Sequence, residues 1–388
     1  MNTKTVQLVL VSEQPGQNLC PLMDLRLKPD EVILAATPNT PFQEHQQWLM
    51  EACKPMGIQC TLLDLPQAWQ TEALRQTFES LVTQRLALGH KLVLNSTGGY
   101  RPVAIIAHEV FFYRDLPVFF LNKDWVRWLS NPDQQADFAL QDNVKLPAFM
   151  LAHGLKVESI CRSHIPTEQR ELAQKWQRQA SAYSQAIAKL NYYASQAEGH
   201  LQCNIPRHEL RGDHMFLDIL DQLSATGLAD LQQQQLTFAS EEARFFANGG
   251  WLEERVFSEL FQLRSEFPRL QDVARSVQVR WLGSKQKSSL RNEFDVLALY
   301  DNRLIVIECK TALMDYRNAQ HVVYKLGSML KHLGGFRTTG MITSFHDIHP
   351  KHHQRAKLFD VQICDRRTIR QLRNQLIERL RSHEYSVF

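Results

Sequence analysis

The stretch NEFDVLALYDNRLIVIECKT, residues 292–311, holds two apolar segments separated by a short polar turn. Asp301 and Asn302 readily adopt the left-handed backbone conformation that a two-residue hairpin turn requires. The apolar and β-branched residues on both sides of the turn favour strands. The stretch therefore predicts a β-hairpin in which Tyr300 faces Arg303.

With this turn, the numbers of two residues that face each other across the hairpin sum to 603. Asp295 is then opposite Glu308, and Glu293 is opposite Lys310. Because side chains alternate along a strand, these four charged residues share one face of the hairpin. The other face is predicted to be entirely apolar and carries Phe294, Val296, Ala298, Ile305, Ile307 and Cys309. A slip of one residue would break this alignment.

Two carboxylates in directly opposed positions destabilise a sheet unless something neutralises them. A hard divalent cation such as Mg²⁺ or Mn²⁺ does so with oxygen ligands, which predicts a metal site at Asp295 and Glu308. The compact positive charge of Lys310 suits a phosphate or an attacking water. The alternative is a half-exposed hairpin with surface charges and a cross-strand Glu–Lys pair.

The spacing D-x12-E-C-K between two apolar strands resembles the core of the PD-(D/E)xK nucleases, in which a helix with an acidic residue precedes the hairpin. The segment GGWLEERVFSEL, residues 249–260, fits that helix, and Glu253 lies on its predicted inward face. Glu254 stays an alternative, because helical phase does not separate neighbouring residues. The proline of the family name is absent, since Asn-Glu-Phe precedes Asp295.

The resemblance implies a restriction-endonuclease-like α/β domain that hydrolyses phosphodiesters with the help of a metal. The catalytic residues that it implies are Glu253, Asp295, Glu308 and Lys310. It also implies that Mg²⁺ or Mn²⁺ is held by Asp295, Glu308 and Glu253.

Three further features near the C-terminus allow two interpretations each. Tyr324 and Lys325 follow the hairpin on a predicted helix, where they contact substrate or only border a packing face. The outward arginines of the terminal helix, residues 366–381, face phosphate or water. The cluster of His346, His349, His352 and His353 is more typical of a solvated loop or helix start than of a zinc site, because cysteines and an H-E-x-x-H pattern are absent from it.

The first 150 residues alternate short apolar runs with amphipathic segments. Strands are predicted at residues 5–12, 31–37, 57–65, 91–96 and 116–121, and helices at residues 41–53, 69–88 and 101–114. This alternation predicts a parallel, doubly wound, Rossmann-like sheet with helices on both faces. Ligands bind such sheets at the carboxyl ends of the strands.

Two loops at those ends suit an anionic ligand. The segment STGGYRPVAIIAHE, residues 96–109, leads from the fourth strand into a helix whose free N–H groups favour an anion. The segment SEQPGQNLCP, residues 12–21, follows the first strand. Both are, alternatively, only tight turns of the sheet.

Together the two loops resemble those of the CARF domain of CRISPR ancillary proteins, in which a T-G-G-T-K-like loop and the strand-1 loop line a pocket for cyclic oligoadenylate. The binding residues that the resemblance implies are Ser12, Gln14, Asn18, Thr97, Gly98, Gly99, Tyr100 and Arg101. Tyr100 and Arg101 stand where threonine and lysine are common, and arginine still suits a phosphate.

A CARF domain followed by a PD-(D/E)xK domain is the order of stand-alone type III CRISPR nucleases. This resemblance implies a homodimer that is activated by cyclic oligoadenylate, most often cyclic tetra-adenylate, and that cleaves DNA or RNA. A ring of repeated adenylates fits a two-fold dimer. The predicted domains are a CARF sensor at 1–155, a helical linker at 156–245 and a nuclease at 246–388.

The middle region differs in composition from both ends. Residues 166–194 are rich in glutamine, alanine and arginine, and they predict one long helix. Residues 214–240 predict a helix, a turn, a second helix and a short strand, an order that suggests a small winged-helix-like unit. A nucleotide-sensing DNA-binding regulator with an inert nuclease fold is therefore one alternative function, and a constitutive repair or restriction nuclease is another.

The composition sets broad limits on these functions. The formal net charge of +3 leaves nucleic-acid binding to local patches. Seven scattered cysteines without a CxxC pair favour reduced thiols, and hence a cytoplasmic location. No segment approaches the roughly 20 consecutive apolar residues of a membrane span. We therefore expect a cytoplasmic protein with no membrane contact.

Overall fold

A computed structural model describes residues 3–38, 41–283, 290–334 and 338–385 of the chain. Within these residues the strands form three sheets, which helices cover and connect. The strands are β1 (Thr5–Leu10), β2 (Glu31–Ala36), β3 (Gln59–Asp64), β4 (Lys91–Asn95), β5 (Val118–Asn122), β6 (Trp125–Ser130), β7 (Phe138–Ala139), β8 (Leu155–Cys161), β9 (Gln202–Asn204), β10 (Ala229–Gln232), β11 (Gln235–Phe238), β12 (Leu270–Trp281), β13 (Arg291–Tyr300), β14 (Arg303–Lys310), β15 (Thr338–Ser344) and β16 (Val361–Cys364). The α-helices are α1 (Pro15–Met23), α2 (Phe42–Cys53), α3 (Thr71–Ala87), α4 (Arg101–Phe112), α5 (Leu146–Ala152), α6 (Thr167–Arg178), α7 (Ala180–Gln196), α8 (Arg207–Leu210), α9 (His214–Ala225), α10 (Glu241–Phe245), α11 (Trp251–Leu263), α12 (Tyr316–His332), α13 (Pro350–Lys357) and α14 (Leu372–Tyr385).

The first sheet has the strand order β3-β2-β1-β4-β5-β6-β7. Strands β1 to β5 are parallel, and each lies in or overlaps a segment predicted to be a strand. The antiparallel strands β6 and β7 extend the sheet beyond β5 and were not predicted. Because the chain goes from β1 to β2 on one side and later returns to β4 on the other, the order reverses between β1 and β4. Such a reversal opens a crevice for a ligand at the carboxyl ends of the two strands.

Three predictions about helices were wrong. Within residues 214–240 the second predicted helix is instead the antiparallel pair of β10 and β11, because Gln233, with a φ of +56°, turns the chain back on itself. The loop predicted at residues 12–21 becomes helix α1 from Pro15 onward, because proline in the first turn fixes the helical φ and lacks the N–H that a first turn leaves unpaired. The single helix predicted at residues 166–194 is two helices, α6 and α7. They are separated by Gln179, whose φ of −105° and ψ of 26° are not helical.

The second sheet contains the predicted hairpin and has the order β16-β15-β14-β13-β12-β8. Strands β14, β15 and β16 are parallel, whereas β8, β12, β13 and β14 pair antiparallel. Strand β8 comes from the start of the region predicted as a helical linker. Residues that lead out of the first sheet thus supply the edge strand of the second.

The two faces of the second sheet contribute to different hydrophobic cores. Ile305 and Ile307 share a core with Val256 of α11 and Leu376 of α14. Leu304 and Val306 belong to a second core, which includes residues of α12 and α13. The same core includes residues of β2, α2 and α5, which belong to the first sheet and its helices. The hairpin is therefore buried on both faces, which rules out the half-exposed hairpin considered above.

The third sheet is small, with the order β10-β11-β9, and it packs with α7 and α9 on the core that contains α11. Among the helices of the described ranges, none is both long and apolar enough to cross a membrane.

Candidate active site and ligand-binding loops

The hairpin has the predicted register. Tyr300 pairs with Arg303, and the described pairs continue to Val296 opposite Ile307. Asp301 and Asn302 form the turn with φ of 55° and 54°, the left-handed conformation that was expected.

Beyond Val296 the alternation of side chains breaks, and this part of the prediction was wrong. Phe294 packs in the core of Leu297 and Leu299, not with Val296 on the other face. The cause lies in the neighbouring strand β12, where Ser276 has a φ of +47°. Arg275 pairs with Val296 and Val277 pairs with Phe294, so Ser276 and Asp295 are left out of the register. The irregularity frees Asp295 from regular backbone pairing at this point.

The carboxylate of Asp295 accepts a hydrogen bond that a backbone carbonyl oxygen accepts in a regular strand pair. Its Oδ2 accepts a hydrogen bond from the backbone N–H of Cys309 at 2.6 Å. Asp295 is thereby fixed between Glu308 and Lys310, the two charged residues that flank Cys309. The acidic residue and the Glu-x-Lys motif are thus brought to one place, as the resemblance implied.

Helix α11 contributes Glu253 rather than Glu254 to this place. Glu253 Oε2 accepts a hydrogen bond from Ser276 Oγ at 3.0 Å. Its pKa is raised well above the usual range, first by burial and then by the charge of Asp295. Glu254 faces elsewhere: it lies 2.8 Å from Arg275 and 3.1 Å from His164, within a separate ion-pair network.

A glycine pair lets α11 come close to the hairpin. The backbone kinks before α11, where Asn248 and Gly249 leave the helical conformation and Gly249 has a φ of +116°. A Cβ atom at Gly249 would lie 2.5 Å from Oγ1 of Thr311, the residue after Lys310. The kink at Gly249 allows Glu253 to approach Asp295.

Lys310 neutralises two carboxylates in this arrangement. Its Nζ lies 2.6 Å from Glu308 Oε1 and 3.6 Å from Asp295 Oδ2. Burial alone would lower the lysine pKa, but the charges of Asp295 and Glu308 outweigh it and raise the pKa. Glu293, predicted to face Lys310, is exposed.

The donor set suits a hard cation. Three buried or half-buried carboxylates with one ammonium leave an excess of negative charge, and the pKa of Asp295 is raised to about 6 by burial and by Glu308. Carboxylate oxygens are ligands of Mg²⁺ and Mn²⁺. Within the described ranges no three acidic, histidine or cysteine side chains already stand as a ligand set. A cation would therefore need the Lys310 ammonium to move aside.

A buried polar cluster supports the end of strand β14 and was not recognised in the sequence. His346 Nε2 lies 2.9 Å from the carbonyl oxygen of Thr311, and His346 Nδ1 lies 2.9 Å from Ser184 Oγ. Asn191 Nδ2 donates to Thr311 Oγ1 at 3.0 Å. Helix α7 thus holds the residue that follows Lys310. Of the four clustered histidines, His346 and His352 are buried, so the expected solvated cluster holds only for His349 and His353.

The opposite end of the hairpin is anchored on the first sheet's side of the molecule. Asn302 is fully buried, and its Nδ2 lies 3.3 Å from both the Gln141 carbonyl oxygen and Asp142 Oδ1. Arg303 lies 3.3 Å from Asp124 Oδ2, in the turn between β5 and β6. One rigid hairpin therefore connects the first domain to the acidic cluster.

The two ligand-binding loops predicted from the sequence meet at the crevice between β1 and β4. A Cβ atom at Gly98 would lie 2.0 Å from the carbonyl oxygen of Leu10, the last residue of β1. Gly99 has a φ of +76°, which favours glycine. The glycine pair therefore permits a contact between the loops that no larger residue would allow.

The strand-1 loop is held by its own side chains. Asn18 is fully buried, donates to the Leu10 carbonyl oxygen at 3.0 Å and accepts from the Ser12 backbone N–H at 3.2 Å. The Gln14 N–H donates to Ser12 Oγ at 3.2 Å. Asn18 therefore shapes the loop, whereas Gln14 stands at the entrance of α1.

The second loop is fixed in a similar way. Thr97 Oγ1 donates to Asn95 Oδ1 at 2.6 Å and accepts from the Leu121 backbone N–H at 2.9 Å. Its hydroxyl is thus used within the sheet.

Tyr100 and Arg101 point outward at the start of α4. Tyr100 is 40% exposed, and its ring lies 5.0 Å from the ring of Phe42. Arg101 is exposed at the first position of the helix. His45, which no sequence motif singled out, reaches the same crevice, with Nδ1 2.8 Å from the Ser12 carbonyl oxygen. These groups surround the helix N-terminus, which favours an anion.

The acidic cluster lies within a recognised domain. Residues 240–383 match the family model of the Card1-like endonuclease domain. This segment is therefore similar to the Card1-like endonuclease domain. The resemblance to CRISPR ancillary nucleases stated from the sequence is thereby confirmed.

Known structures share the fold of the whole chain. The crystal structure of protein VC1899 from Vibrio cholerae is 25% identical with a TM-score of 0.86, over 97% of this chain and 98% of that one. Can2 from Sulfobacillus thermosulfidooxidans, in complex with cyclic tetra-adenylate, is 22% identical with a TM-score of 0.79, over 97% and 99%. A type III CRISPR defence DNA nuclease activated by cyclic oligoadenylate is 16% identical with a TM-score of 0.57, over 87% and 45%. No curated protein matches the chain in sequence.

Proposed function

We propose that the chain is a metal-dependent endonuclease of CRISPR defence that cyclic oligoadenylate activates. The observation that carries this proposal is the convergence of Glu253, Asp295, Glu308 and Lys310 within the Card1-like endonuclease domain. DNA, RNA or both would be cut. Cyclic tetra-adenylate is the activator we favour, because it is bound by Can2, which has the same fold.

In the proposed reaction, water attacks the phosphorus atom and the bond to the leaving oxygen of the strand breaks. A cation held by Asp295, Glu308 and Glu253 would lower the pKa of that water and neutralise charge on the phosphate. Lys310 would leave its position between the carboxylates and donate hydrogen bonds to a phosphate oxygen as negative charge develops there. Ser276 would hold Glu253 in place through its present hydrogen bond.

The activator would bind at the crevice between β1 and β4. The exposed guanidinium of Arg101 and the N-terminus of α4 suit its phosphates, and the Tyr100 ring suits an adenine. Gly98 and Gly99 would shape the pocket by letting the second loop lie against the end of β1. Ser12, Gln14, Asn18 and Thr97 would shape this surface, with Gln14 the member of this group best placed for direct contact.

A homodimer would allow two copies of the crevice to grip one symmetric ring. Exposed apolar residues along α4, which starts at the crevice, support this: Ile105 is 66% exposed, and Phe112 at the far end of the helix is 53% exposed. Seven residues apart, they lie on one face of the helix, and apolar exposure along one face marks an interaction surface. The hairpin turn at Asn302 would carry a movement of the first domain to the acidic cluster.

One experiment tests both halves of the proposal. The purified chain, with Mn²⁺, is given supercoiled plasmid, single-stranded DNA and RNA, with and without cyclic tetra-adenylate, and light scattering gives its mass. We expect a dimer that cuts only with the nucleotide. Cutting regardless of the nucleotide would refute activation, a monomer would refute the shared pocket, and no cutting at all would refute the nuclease.

We expect metal binding to depend on pH. In the metal-free protein Asp295 has a pKa of about 6 against an ordinary value of 3.8, so it carries a proton at pH 5 that a cation must displace. Between pH 4 and 6 this carboxyl is protonated in the folded state and largely ionised in the unfolded state. The free energy of unfolding therefore falls as the pH rises through this range. Below pH 6 the apparent affinity for Mn²⁺ should fall about tenfold per pH unit.

Calorimetry of Mn²⁺ binding between pH 5 and pH 8 measures this effect. Above about pH 7 Asp295 is ionised without the metal, so its own contribution to the slope ends there. Glu253, whose pKa is also raised, adds a contribution of its own. Asp295→Asn should therefore reduce the slope below pH 6 by about one proton. Equal affinities at pH 5 and pH 7 in the unaltered protein would contradict the prediction.

The regulator alternative is weakened by the charge of α9. This helix, HMFLDILDQLSA, carries Asp218 and Asp221 but neither lysine nor arginine. A helix that reads DNA approaches phosphates and needs positive charge. The constitutive nuclease alternative is left to the experiment with and without the nucleotide.

A further inference from the structure

The helices that follow the hairpin form a surface with very few acidic residues. Residues 316–359 contain seven lysines and arginines and six histidines, but only one acid, Asp347. The whole chain has 41 acids in 388 residues. Asp347 is itself paired with Arg366. The outer face of α12 and α13, which we call the α12–α13 face, therefore presents positive charge that acids do little to balance.

This face begins beside the candidate catalytic lysine. Lys310 pairs with Ser344 in the parallel register of β14 and β15, and the Phe345 N–H donates to the Lys310 carbonyl oxygen at 2.8 Å. Helix α12 starts at Tyr316, shortly after the first strand, and α13 starts shortly after the second. Because parallel strands end at one edge of a sheet, both helices start at the edge where Lys310 lies.

Aromatic rings are interleaved with the charges on this face. Tyr316 is 46% exposed, and its ring lies 4.3 Å from the ring of His352. Tyr324, 43% exposed, lies 5.7 Å from the ring of Phe359 and 5.2 Å from the Arg355 guanidinium. Eight residues of helix separate the two tyrosines, or about 12 Å.

Exposed tyrosine rings held by neighbouring side chains, together with lysines, are suited to one kind of ligand. Nucleic-acid strands are bound by stacking of bases on aromatic rings and by cations along the phosphates. The lysines in question are Lys331 of α12 and Lys351 of α13, both exposed. The Lys331 ammonium lies 5.9 Å from the ring centre of Phe359, the ring that Tyr324 also contacts. Neither Tyr316 nor Tyr324 is needed to fill a core, since about half of each ring system is in solvent.

We propose that the α12–α13 face holds the substrate strand next to the active site. Lys331 and Lys351 contact phosphates, while Tyr316 and Tyr324 each stack on a base. The proposal rests on the proposed nuclease function. The proposal assigns substrate binding to this face and not to the arginines of α14, because α14 packs against the opposite face of the sheet.

The test measures binding without cleavage. A labelled oligodeoxythymidylate and a labelled duplex are titrated with the Glu308→Gln protein, with Mn²⁺ and cyclic tetra-adenylate present, at several salt concentrations. Lys331→Glu/Lys351→Glu should weaken binding at least about tenfold and lower the slope against log salt by about two. The matched control is Arg370→Glu/Arg381→Glu, which changes the net charge equally at exposed positions near or on α14.

A second variant separates stacking from charge. Tyr316→Ala/Tyr324→Ala should weaken binding of the single strand about tenfold with the salt slope unchanged. If the Arg370→Glu/Arg381→Glu control loses as much affinity as the lysine variant, the assignment of this face is overturned. Full affinity in the lysine variant would do the same and leave the nuclease function intact. A parent protein that binds neither nucleic acid would refute both.

Discussion

Replacing Glu308 by glutamine is expected to lower nucleic-acid cleavage on the order of a thousandfold. The substitution keeps the size of the side chain but removes one negative charge from the cluster that Lys310 and Asp295 share. A cation would lose a charged ligand, and the Lys310 ammonium would be held less tightly. The change lies in a strand whose backbone pairing does not involve the side chain, so the fold should be retained.

The measurement is the initial rate of cleavage at saturating Mn²⁺ and cyclic tetra-adenylate. Glu293→Gln is the matched control, because it removes the same charge from an exposed position two residues before Asp295. We expect the control to change the rate less than about threefold, since exposed charges are screened. Nucleotide affinity should be unchanged in both variants. A Glu308→Gln protein within tenfold of the parent rate would remove Glu308 from the site.

The hairpin illustrates how far its sequence determined the site. The register followed from the turn, because Asp301 and Asn302 leave few other ways to reverse the chain in two residues. The position of Phe294 did not follow, because it depends on the φ of Ser276 in a neighbouring strand about twenty residues away. A pattern of alternation within one strand contains no information about such an irregularity in its partner.

The choice between Glu253 and Glu254 shows the same limit. Helical periodicity places both near the inward face, and only their partners separate them. Arg275 and His164, which come from β12 and from the segment after β8, draw Glu254 into another network. These contacts form between segments distant in sequence, so they became visible only in the folded chain.

The two loops at the crevice were easier to predict from the sequence than the roles of their residues. A glycine pair after a strand is a local signal, and Gly98 indeed meets the end of β1. Asn18, in contrast, was expected to contact a ligand, yet it is buried and bonded to Leu10 and Ser12. Whether a polar side chain faces a ligand or its own backbone depends on how α1 is placed.

Gly98→Ala is expected to lower the affinity for cyclic tetra-adenylate at least about a hundredfold, because well-packed interiors do not absorb an added methyl group at this distance. The new Cβ would lie 2.0 Å from the Leu10 carbonyl oxygen and 3.1 Å from Asn18 Nδ2. The Leu10 carbonyl group accepts the hydrogen bond of Asn18, which also holds Ser12. Either the second loop or the end of β1 must move, and both line the proposed pocket.

Calorimetry with cyclic tetra-adenylate measures the loss, and thermal unfolding shows whether the fold persists. Gly89→Ala is the matched control: its φ of +76° makes alanine unfavourable, but nothing lies within 4 Å of the added Cβ. It should keep full affinity. If Gly98→Ala unfolds the domain, Arg101→Ala changes the same loop at an exposed position and should weaken binding about tenfold. Unchanged affinity in whichever of these two variants folds would place the activator elsewhere, because both substitutions lie in the loop that lines the proposed pocket.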